Sequence, residues 1–253
     1  MNLDSTITTF ANSLTGRNML IDALMRQFCD NYILSTVPLT ALLVFLWNKN
    51  TSDLQRMRLF AGAVAIGLSG LVSRALQKTL PMIGLDRIRP LYDPNLAGII
   101  HWPIGLPPHA FEGQSSWPSD SAAWLFGLVL LIWLHGGKRV GIPALFLASL
   151  SSLMRIPMGI HFLSDIVSGA ALGAFIVLAS QRLPIPRAAF QILKVQRKWP
   201  VAFCAGMFVA TYSLATFAAD LRTLAGATIG EMGTMPRPRP SHLPPAKSCN
   251  PSV

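Results

Sequence analysis

Apolar residues in this chain are gathered into long runs separated by shorter polar connections. Six runs are within a few residues of the length an α-helix needs to cross about 30 Å of hydrocarbon, which is about 20 residues. The run at 140–156 is short for this purpose. The pattern predicts an all-α integral membrane protein with about six transmembrane helices, at roughly 31–48, 58–79, 119–135, 140–156, 161–181 and 199–219.

The two ends of the chain differ from this central region. Residues 1–19 are polar and mildly amphipathic, which predicts an interfacial N-terminal segment instead of a signal peptide. Residues 20–220 hold all the apolar runs and are expected to form one membrane domain. Residues 221–253 become rich in proline and lack an apolar period, so we expect a disordered tail.

Composition supports a membrane protein and argues against a nucleic-acid partner. Hydrophobic residues make up 51% of the chain and charged residues only 13%, whereas a soluble domain carries about a quarter charged residues. The net charge of +10 is concentrated in the connections on one side of the predicted bundle, where Asp53 is the only acid. This is the positive-inside pattern and predicts a cytoplasmic face. Its basic residues are Lys49, Arg56, Arg58, Lys138, Arg139, Arg182, Arg187, Lys194, Arg197 and Lys198.

The opposite, non-cytoplasmic face is then expected to carry both termini, the long connection 80–118 and the turn 156–161. In that turn, Arg155, His161 and Asp165 follow one another at a distinctive spacing. His161 and Asp165 are four residues apart, so on a helix they would share one face and the carboxylate would hold the imidazole. Arg155 would fold back beside them across a Pro-Gly connection. A steered imidazole beside a guanidinium suits phosphoryl transfer through a phosphohistidine.

Two further polar clusters fall on the same predicted face. The first, Asp86–Pro90, follows the second span, which ends with Lys78. The second, Ser115–Ser121, comes directly before the third span. At the start of that span, a hydroxyl and free backbone N–H groups are expected to form an anion site. Arg87 is a candidate phosphate ligand or, equally, a partner of Asp86.

These three clusters resemble the signature of the type 2 phosphatidic acid phosphatases, integral-membrane relatives of the vanadium haloperoxidases. That signature reads Lys, six residues, Arg-Pro; then Pro-Ser-Gly-His; then Ser-Arg, five residues, His, three residues, Asp. The matching residues are Arg89-Pro90, Pro118-Ser119, and Arg155, His161 and Asp165 at the full spacing. The resemblance implies that His161 is the nucleophile and Asp165 its orienting carboxylate. It also implies that Arg89, Arg155 and Ser119 bind phosphate.

The chain departs from that signature at three positions. Met82 replaces the first lysine, and Lys78 is the nearest candidate to bind phosphate in its place. Met154 replaces the serine before the arginine. Ser121 stands at the catalytic position where the family has the histidine that protonates the leaving oxygen. Nearby, Asp120 is a candidate to contact the substrate or, like His109, to serve as the acid.

The missing acid favours one class of substrate. A phosphate monoester expels an alkoxide and needs a general acid, whereas a diphosphate expels a phosphate monoester whose second pKa is near 6. We therefore expect a lipid diphosphate, with an isoprenoid pyrophosphate such as undecaprenyl pyrophosphate as the leading candidate, in a bacterial inner membrane. No metal or other cofactor is expected. The alternatives are an acid-deficient, non-catalytic lipid-phosphate-binding protein, and a lipid or anion transporter.

Overall fold

The computed structural model describes residues 2–30, 32–50, 52–107, 111 and 113–211. In that part of the chain all regular structure is helical, and no strand occurs. The predicted tail, 221–253, lies outside the described residues, as does His109. The main helices are α1 (Leu3–Asn12), α2 (Met19–Asp30), α3 (Tyr32–Lys49), α4 (Asp53–Thr79), α5 (Asp120–Gly136), α6 (Lys138–Leu153), α7 (Leu163–Arg182), α8 (Gln191–Lys198) and α9 (Pro200–Thr211).

Within the described residues, three stretches are long and apolar enough to cross a membrane: Met19–Lys49, which comprises α2 and α3, then Asp53–Ile83 and Leu163–Arg182. Helices α5 and α9 are apolar but shorter, and α9 is described only to Thr211. These helices fit a membrane protein, while the count of six spans stays a prediction. The sequence analysis missed α2, because Asp22, Arg26 and Asp30 interrupt its apolar residues.

Helix α5 lies at the centre of the bundle and packs against α4, α6 and α7. Its core side chains include the fully buried Leu128 and Ile132, which belong to one cluster with Ile66 of α4 and Val177 of α7. Burial of such side chains against neighbouring helices gives each element its position. The long connection 80–118 contains only short 3-10 turns, at Leu80–Ile83, Pro90–Tyr92 and Pro94–Leu96.

Two glycines of α7 allow this helix to approach the backbone of α5 closely. A Cβ atom at Gly169 would lie 2.2 Å from the Ser119 carbonyl oxygen. One at Gly173 would lie 2.0 Å from the Ala123 carbonyl oxygen. No side chain fits at these distances, so α7 meets the first turn of α5 backbone to backbone at these two glycines.

Contacts at the two ends of the bundle show how the helices run. At one end, Gln181 of α7 donates to the Arg58 carbonyl of α4 (3.1 Å) and lies 3.2 Å from His135 Nε2 of α5. At the other end, Gln77 of α4 donates to the Pro118 carbonyl (2.6 Å), immediately before α5 begins. Helices α5 and α7 therefore run parallel to each other and antiparallel to α4. This arrangement places all three polar clusters at the same end.

We predict that Gly173→Ala disrupts the bundle, because the added methyl group overlaps a main-chain oxygen that cannot move independently of α5. The expected cost is about 1–3 kcal/mol or more, measured as a lower thermal midpoint and a smaller monodisperse fraction in detergent. Gly206→Ala on α9 is the matched control, because no atom lies within 4 Å of its added Cβ. Equal midpoints for the two variants would contradict the proposed close approach.

Candidate active site

The loop between α6 and α7 folds back on itself and presents His161. The Arg155 carbonyl oxygen accepts hydrogen bonds from the backbone N–H groups of Ile160 (3.1 Å) and His161 (3.4 Å). Gly159 allows this turn with a φ of +67°. Its carbonyl accepts from the backbone N–H of Leu91 (3.1 Å), which ties the loop to the connection 80–118. The fold-back of Arg155 towards His161 is therefore the one that the Pro-Gly connection suggested.

The His161 side chain is almost fully buried, with 1% of its surface exposed. Its Nδ1 atom lies 2.9 Å from the Ser116 carbonyl oxygen. A carbonyl oxygen can only accept a hydrogen bond, so the proton must be on Nδ1. In the neutral imidazole, Nε2 then carries the lone pair. This contact joins the Ser115–Ser121 cluster to the histidine loop.

Asp165 is close to the imidazole, but their relation differs from the expected one. The distance from Asp165 Oδ2 to His161 Nδ1 is 3.7 Å, which is within ion-pair reach but too long for a hydrogen bond. Oδ2 instead accepts from the backbone N–H of Phe162 (2.8 Å). The prediction of a shared helix face is wrong, because α7 begins at Leu163 and His161 precedes it. The Asp165 side chain caps the start of the helix and prevents its extension back to His161.

Arg87 bridges two carboxylates, and neither of them is Asp86. Its Nη1 atom lies 3.0 Å from Asp165 Oδ1, and its Nη2 atom donates to Asp4 Oδ2 (2.7 Å). The guanidinium also donates to Ser164 Oγ (2.7 Å) and lies over the Phe162 ring, with its carbon 4.7 Å from the ring centroid. Asp86 is exposed. The expected Asp86 pairing is therefore replaced by a network that reaches the first turn of α1.

Arg89 and Arg155 are both buried and both bind main-chain carbonyls beside the histidine loop. Arg89 is 3% exposed and donates to the carbonyl of Ile160, the residue before His161 (3.1 Å). It also donates to the carbonyl oxygens of Ser115 and Gln114, each at 3.3 Å. Arg155 donates from Nη2 to the Cys29 carbonyl (2.5 Å). The positive charges of both guanidinium groups act on His161.

The start of α5 does not offer the free amides that the sequence suggested. The Ser119 N–H donates to the Asp165 carbonyl (3.0 Å), and Ser119 Oγ accepts from the Ala122 N–H (3.4 Å). The Ser121 N–H donates to Asp120 Oδ1 (2.8 Å). These contacts occupy the amides of Ser119, Ser121 and Ala122, because α7 approaches closely enough to accept from the first and side chains accept from the other two. The helix start is therefore less open to an anion than the sequence suggested.

Asp120 and Lys78 differ in how they relate to this cluster. Asp120 Oδ2 pairs with Arg74 Nη1 of α4 at 3.1 Å, and the Ser121 hydroxyl lies 3.3 Å from Asp120 Oδ1. Lys78 is exposed, and no hydrogen bond or ion pair joins it to the site residues named above, all within the described part of the chain. The neighbouring residues Ser73 and Gln77 face the site instead, because they donate to the Pro118 carbonyl.

Some buried polar groups in the described segments before Ser119 and His161 lack a hydrogen-bond partner, and of their residues only Ser152 was not predicted from the sequence. The Ser116 and Ser152 hydroxyls and Arg155 Nε are buried without a hydrogen-bond partner among the described residues. Buried polar atoms are rarely left unpaired, so these atoms mark a place suited to a polar ligand. Their position three residues before Ser119 and Arg155 was the available signal. Within the same residues, no group of three His, Cys, Asp or Glu side chains is arranged as a metal site.

The electrostatics of the site favour a neutral imidazole. His161 lies outside the helix that begins at Leu163, and its burial lowers its pKa below the ordinary value. The Asp165 carboxylate opposes this shift, whereas the charges of Arg89 and Arg155 reinforce it. A neutral histidine protonated on Nδ1 has the electron pair that a nucleophile requires.

Comparison with protein families identifies the class of this protein. The model of the PAP2 superfamily matches residues 58–187, more than half of the 253-residue chain. The chain therefore belongs to the PAP2 superfamily, whose members are phosphatases, and a hydrolase acting on phosphate esters is indicated. The match runs from α4 beyond α7 and includes every site residue predicted from the sequence. Comparisons with curated proteins and with solved structures gave no match.

We predict that His161 titrates below the ordinary histidine midpoint of about 6.5 and carries its proton on Nδ1 when neutral. The reasons are its burial near the positive charges of Arg89 and Arg155, which lowers the pKa, and its hydrogen bond to the Ser116 carbonyl, which fixes the proton. Ring ¹⁵N chemical shifts of the detergent-solubilised protein measure both properties, and the His161→Gln variant assigns the signal. A midpoint at or above 6.5, or a proton on Nε2, would contradict this geometry.

Proposed function

We propose that this protein is a membrane lipid phosphatase that removes the terminal phosphate of a lipid diphosphate through a phosphohistidine. The observation that carries the proposal is the buried His161 with Nδ1 held by a carbonyl oxygen. Since that contact leaves Nε2 with its lone pair, the imidazole is prepared to attack phosphorus. The three signature residues Arg155, His161 and Asp165 lie within one loop and the helix start that follows it.

In the first step, His161 Nε2 forms a bond to the terminal phosphorus while the bond from that phosphorus to the bridging oxygen breaks. The leaving oxygen keeps the bonding electrons. Arg89 and Arg155 supply positive charge near the imidazole, which stabilises the negative oxygens of the transferring group. The unpaired Arg155 Nε and the Ser116 and Ser152 hydroxyls are available as additional donors, and Ser119 is a further candidate ligand.

In the second step, water attacks the phosphorus and the P–N bond breaks. This releases inorganic phosphate and returns the electron pair to Nε2. Attack by Nε2 gives the imidazole ring a positive charge. The nearby Asp165 carboxylate stabilises this charge, although Asp165 makes no direct hydrogen bond to the ring. Because arginines and hydroxyls provide the charge stabilisation, the proposed chemistry requires no metal.

The surroundings of Ser121 support a diphosphate substrate. The Ser121 hydroxyl is a poor acid, and the neighbouring Asp120 carboxylate is engaged in an ion pair with Arg74. A lipid diphosphate expels a phosphate monoester that needs little protonation. An isoprenoid pyrophosphate such as undecaprenyl pyrophosphate has this chemistry, and we propose it as the substrate.

We further propose six membrane spans, with the site and both termini on the non-cytoplasmic side of a bacterial inner membrane. Support comes from the helix arrangement, since the polar clusters meet at one end of the bundle. At the opposite end of the bundle α4 begins and α7 ends. The basic connections noted in the sequence join the helices at that end. In this orientation α1 belongs to the interfacial segment 1–19, and the membrane domain 20–220 follows that segment.

Two other functions make different predictions. A non-catalytic lipid-phosphate-binding protein is favoured by Ser121, by Met82 and by the exposed Lys78, which together leave the family signature incomplete. A lipid or anion transporter would use the same buried arginines without needing a nucleophile. Neither alternative explains why the imidazole is held with its Nε2 electron pair available.

We predict that purified protein releases phosphate from isoprenoid diphosphate, and that His161→Ala lowers the rate by at least about 10³-fold through loss of the nucleophile. His135→Ala is the control, because His135 lies in the last turn of α5, at the end of the bundle opposite to the site. A phosphorylated protein that survives alkaline quenching in wild type but not in His161→Ala would identify the intermediate. No release above the His161→Ala rate would support a binding protein, and vesicle flux that persists in this variant would support a transporter.

The role of Ser121 gives a second prediction. Ser121→His supplies the missing general acid, so turnover of a lipid monophosphate should rise by about 10²-fold or more relative to turnover of the diphosphate. Ser180→His is the matched control, because Ser180 is a half-buried serine near the opposite end of α7. An unchanged ratio in Ser121→His would contradict the link between the missing acid and the substrate.

A further inference from the structure

Helix α1 docks on the bundle partly through polar side chains. Thr8 and Asn12 are fully buried, and the Asn12 side chain donates to the Pro157 carbonyl in the histidine loop (2.7 Å). On the opposite side of α1, Leu3 is 77% exposed and Phe10 is 82% exposed. The docked side of α1 also carries apolar contacts, because Ile7 and Ala11 pack against the buried Ala122, Ile156 and Ile166. Polar hydrogen bonds and apolar packing therefore act together to hold α1 on the bundle.

The most charged of these contacts is made by Asp4. Its carboxylate accepts from Arg87 Nη2 (2.7 Å), from the backbone N–H of Ser164 (3.2 Å) and from the Ser164 hydroxyl. Ser164 lies in the first turn of α7, directly before Asp165. Burial raises the pKa of Asp4, but its hydrogen bonds with Ser164 and Arg87 outweigh this and lower the pKa overall. Asp4 is therefore an ionised partner at neutral pH.

Asp165 depends on the arginine that Asp4 holds. The Asp165 side chain is fully buried, and Oδ1 has no hydrogen-bond partner among the described residues. A buried carboxylate without compensation is costly, and the Arg87 guanidinium 3.0 Å away supplies a compensating charge. Since one guanidinium serves two carboxylates, the position of Arg87 depends on both of them.

We propose that Asp4 is a positioning residue of the active site, which holds Arg87 between two carboxylates and thereby sets the charge and orientation of Asp165 behind His161. This inference rests on the proposed function and adds a residue outside the segment matched by the family model. Arg87 accordingly supports Asp165 and is not assigned to the phosphate. The N-terminal helix becomes part of the catalytic unit.

The proposal has an electrostatic consequence with a definite sign. Three charged groups act on His161 from the surrounding elements, namely Asp165, Arg89 and Arg155. Removing the Asp4 charge lets Arg87 neutralise Asp165 more completely, so the surroundings of His161 become more positive. The protonated imidazole is then less favourable and its pKa falls. Removing the Arg87 charge has the opposite effect.

Asp4→Asn tests this through the pH profile of kcat/KM on the isoprenoid diphosphate. Because the nucleophile must be neutral, we expect the acid limb to move to lower pH by about half a unit, with a lower kcat and little change in KM. Asp4→Glu should restore the wild-type profile. Arg87→Gln should move the limb to higher pH, and in that background the effect of Asp4→Asn should shrink to less than half.

Asp53→Asn is the matched control, because it removes a different carboxylate, one that pairs with Arg197 at 2.5 Å and is not joined to the histidine loop. Thermal midpoints of all variants separate positioning from folding. An Asp4→Asn profile that coincides with wild type, or a uniform loss of activity without a pH shift, would overturn the proposal.

Ring ¹⁵N titration of His161 in wild type, Asp4→Asn and Asp4→Glu provides a readout that needs no turnover. A lower midpoint in Asp4→Asn supports the positioning role even if no substrate is hydrolysed, in which case only the proposed function fails. An unchanged midpoint overturns the positioning role even if the enzyme is active.

Discussion

The close approach of α7 to the start of α5 is the constraint on which the site depends. Gly169 and Gly173 remove the side chains that would separate the two backbones, so the Ser119 N–H can donate to the Asp165 carbonyl. This contact aligns the loop before α7 with the segment before α5. The Ser116 carbonyl then reaches His161 Nδ1. A larger separation of the two helices would lengthen both contacts beyond hydrogen-bond distance.

In this site the buried positive charges are held mainly by hydrogen bonds to main-chain carbonyl oxygens. Arg89 and Arg155 reach carbonyl oxygens at three separate segments, and the imidazole does the same through Nδ1. Such contacts compensate positive charge without neutralising it, so the site keeps the net positive character that a phosphate requires. Asp165 is the exception, because its charge is balanced by Arg87 and its second oxygen caps α7.

Local pattern and tertiary packing contributed unequally to the site. The spacing of Arg155, His161 and Asp165 predicted that these groups lie together, and the structure brings them into one loop and helix start. The spacing led to the wrong local geometry, however. Two residues four positions apart, as His161 and Asp165 are, can lie on one helix face, but the second can equally cap a helix that begins after the first. The free amides expected at Ser119 are occupied for a similar reason, since the nearby residue that takes the first of them lies 46 positions away in the chain. Asp4 carried no local signal at all.

The sequence alone determined the class of architecture and the reactive group. Long apolar runs require helices in a membrane, whatever their contacts, because backbone polar groups cannot be left unpaired in lipid. The residue types in the signature likewise restrict the chemistry to phosphate. Only the tertiary structure decided which nitrogen of His161 carries the proton and which two carboxylates Arg87 joins. It also decided that α1 contacts the start of α7 beside the site. These features depend on hydrogen bonds between segments distant in the chain, and sequence spacing holds no information about such distances.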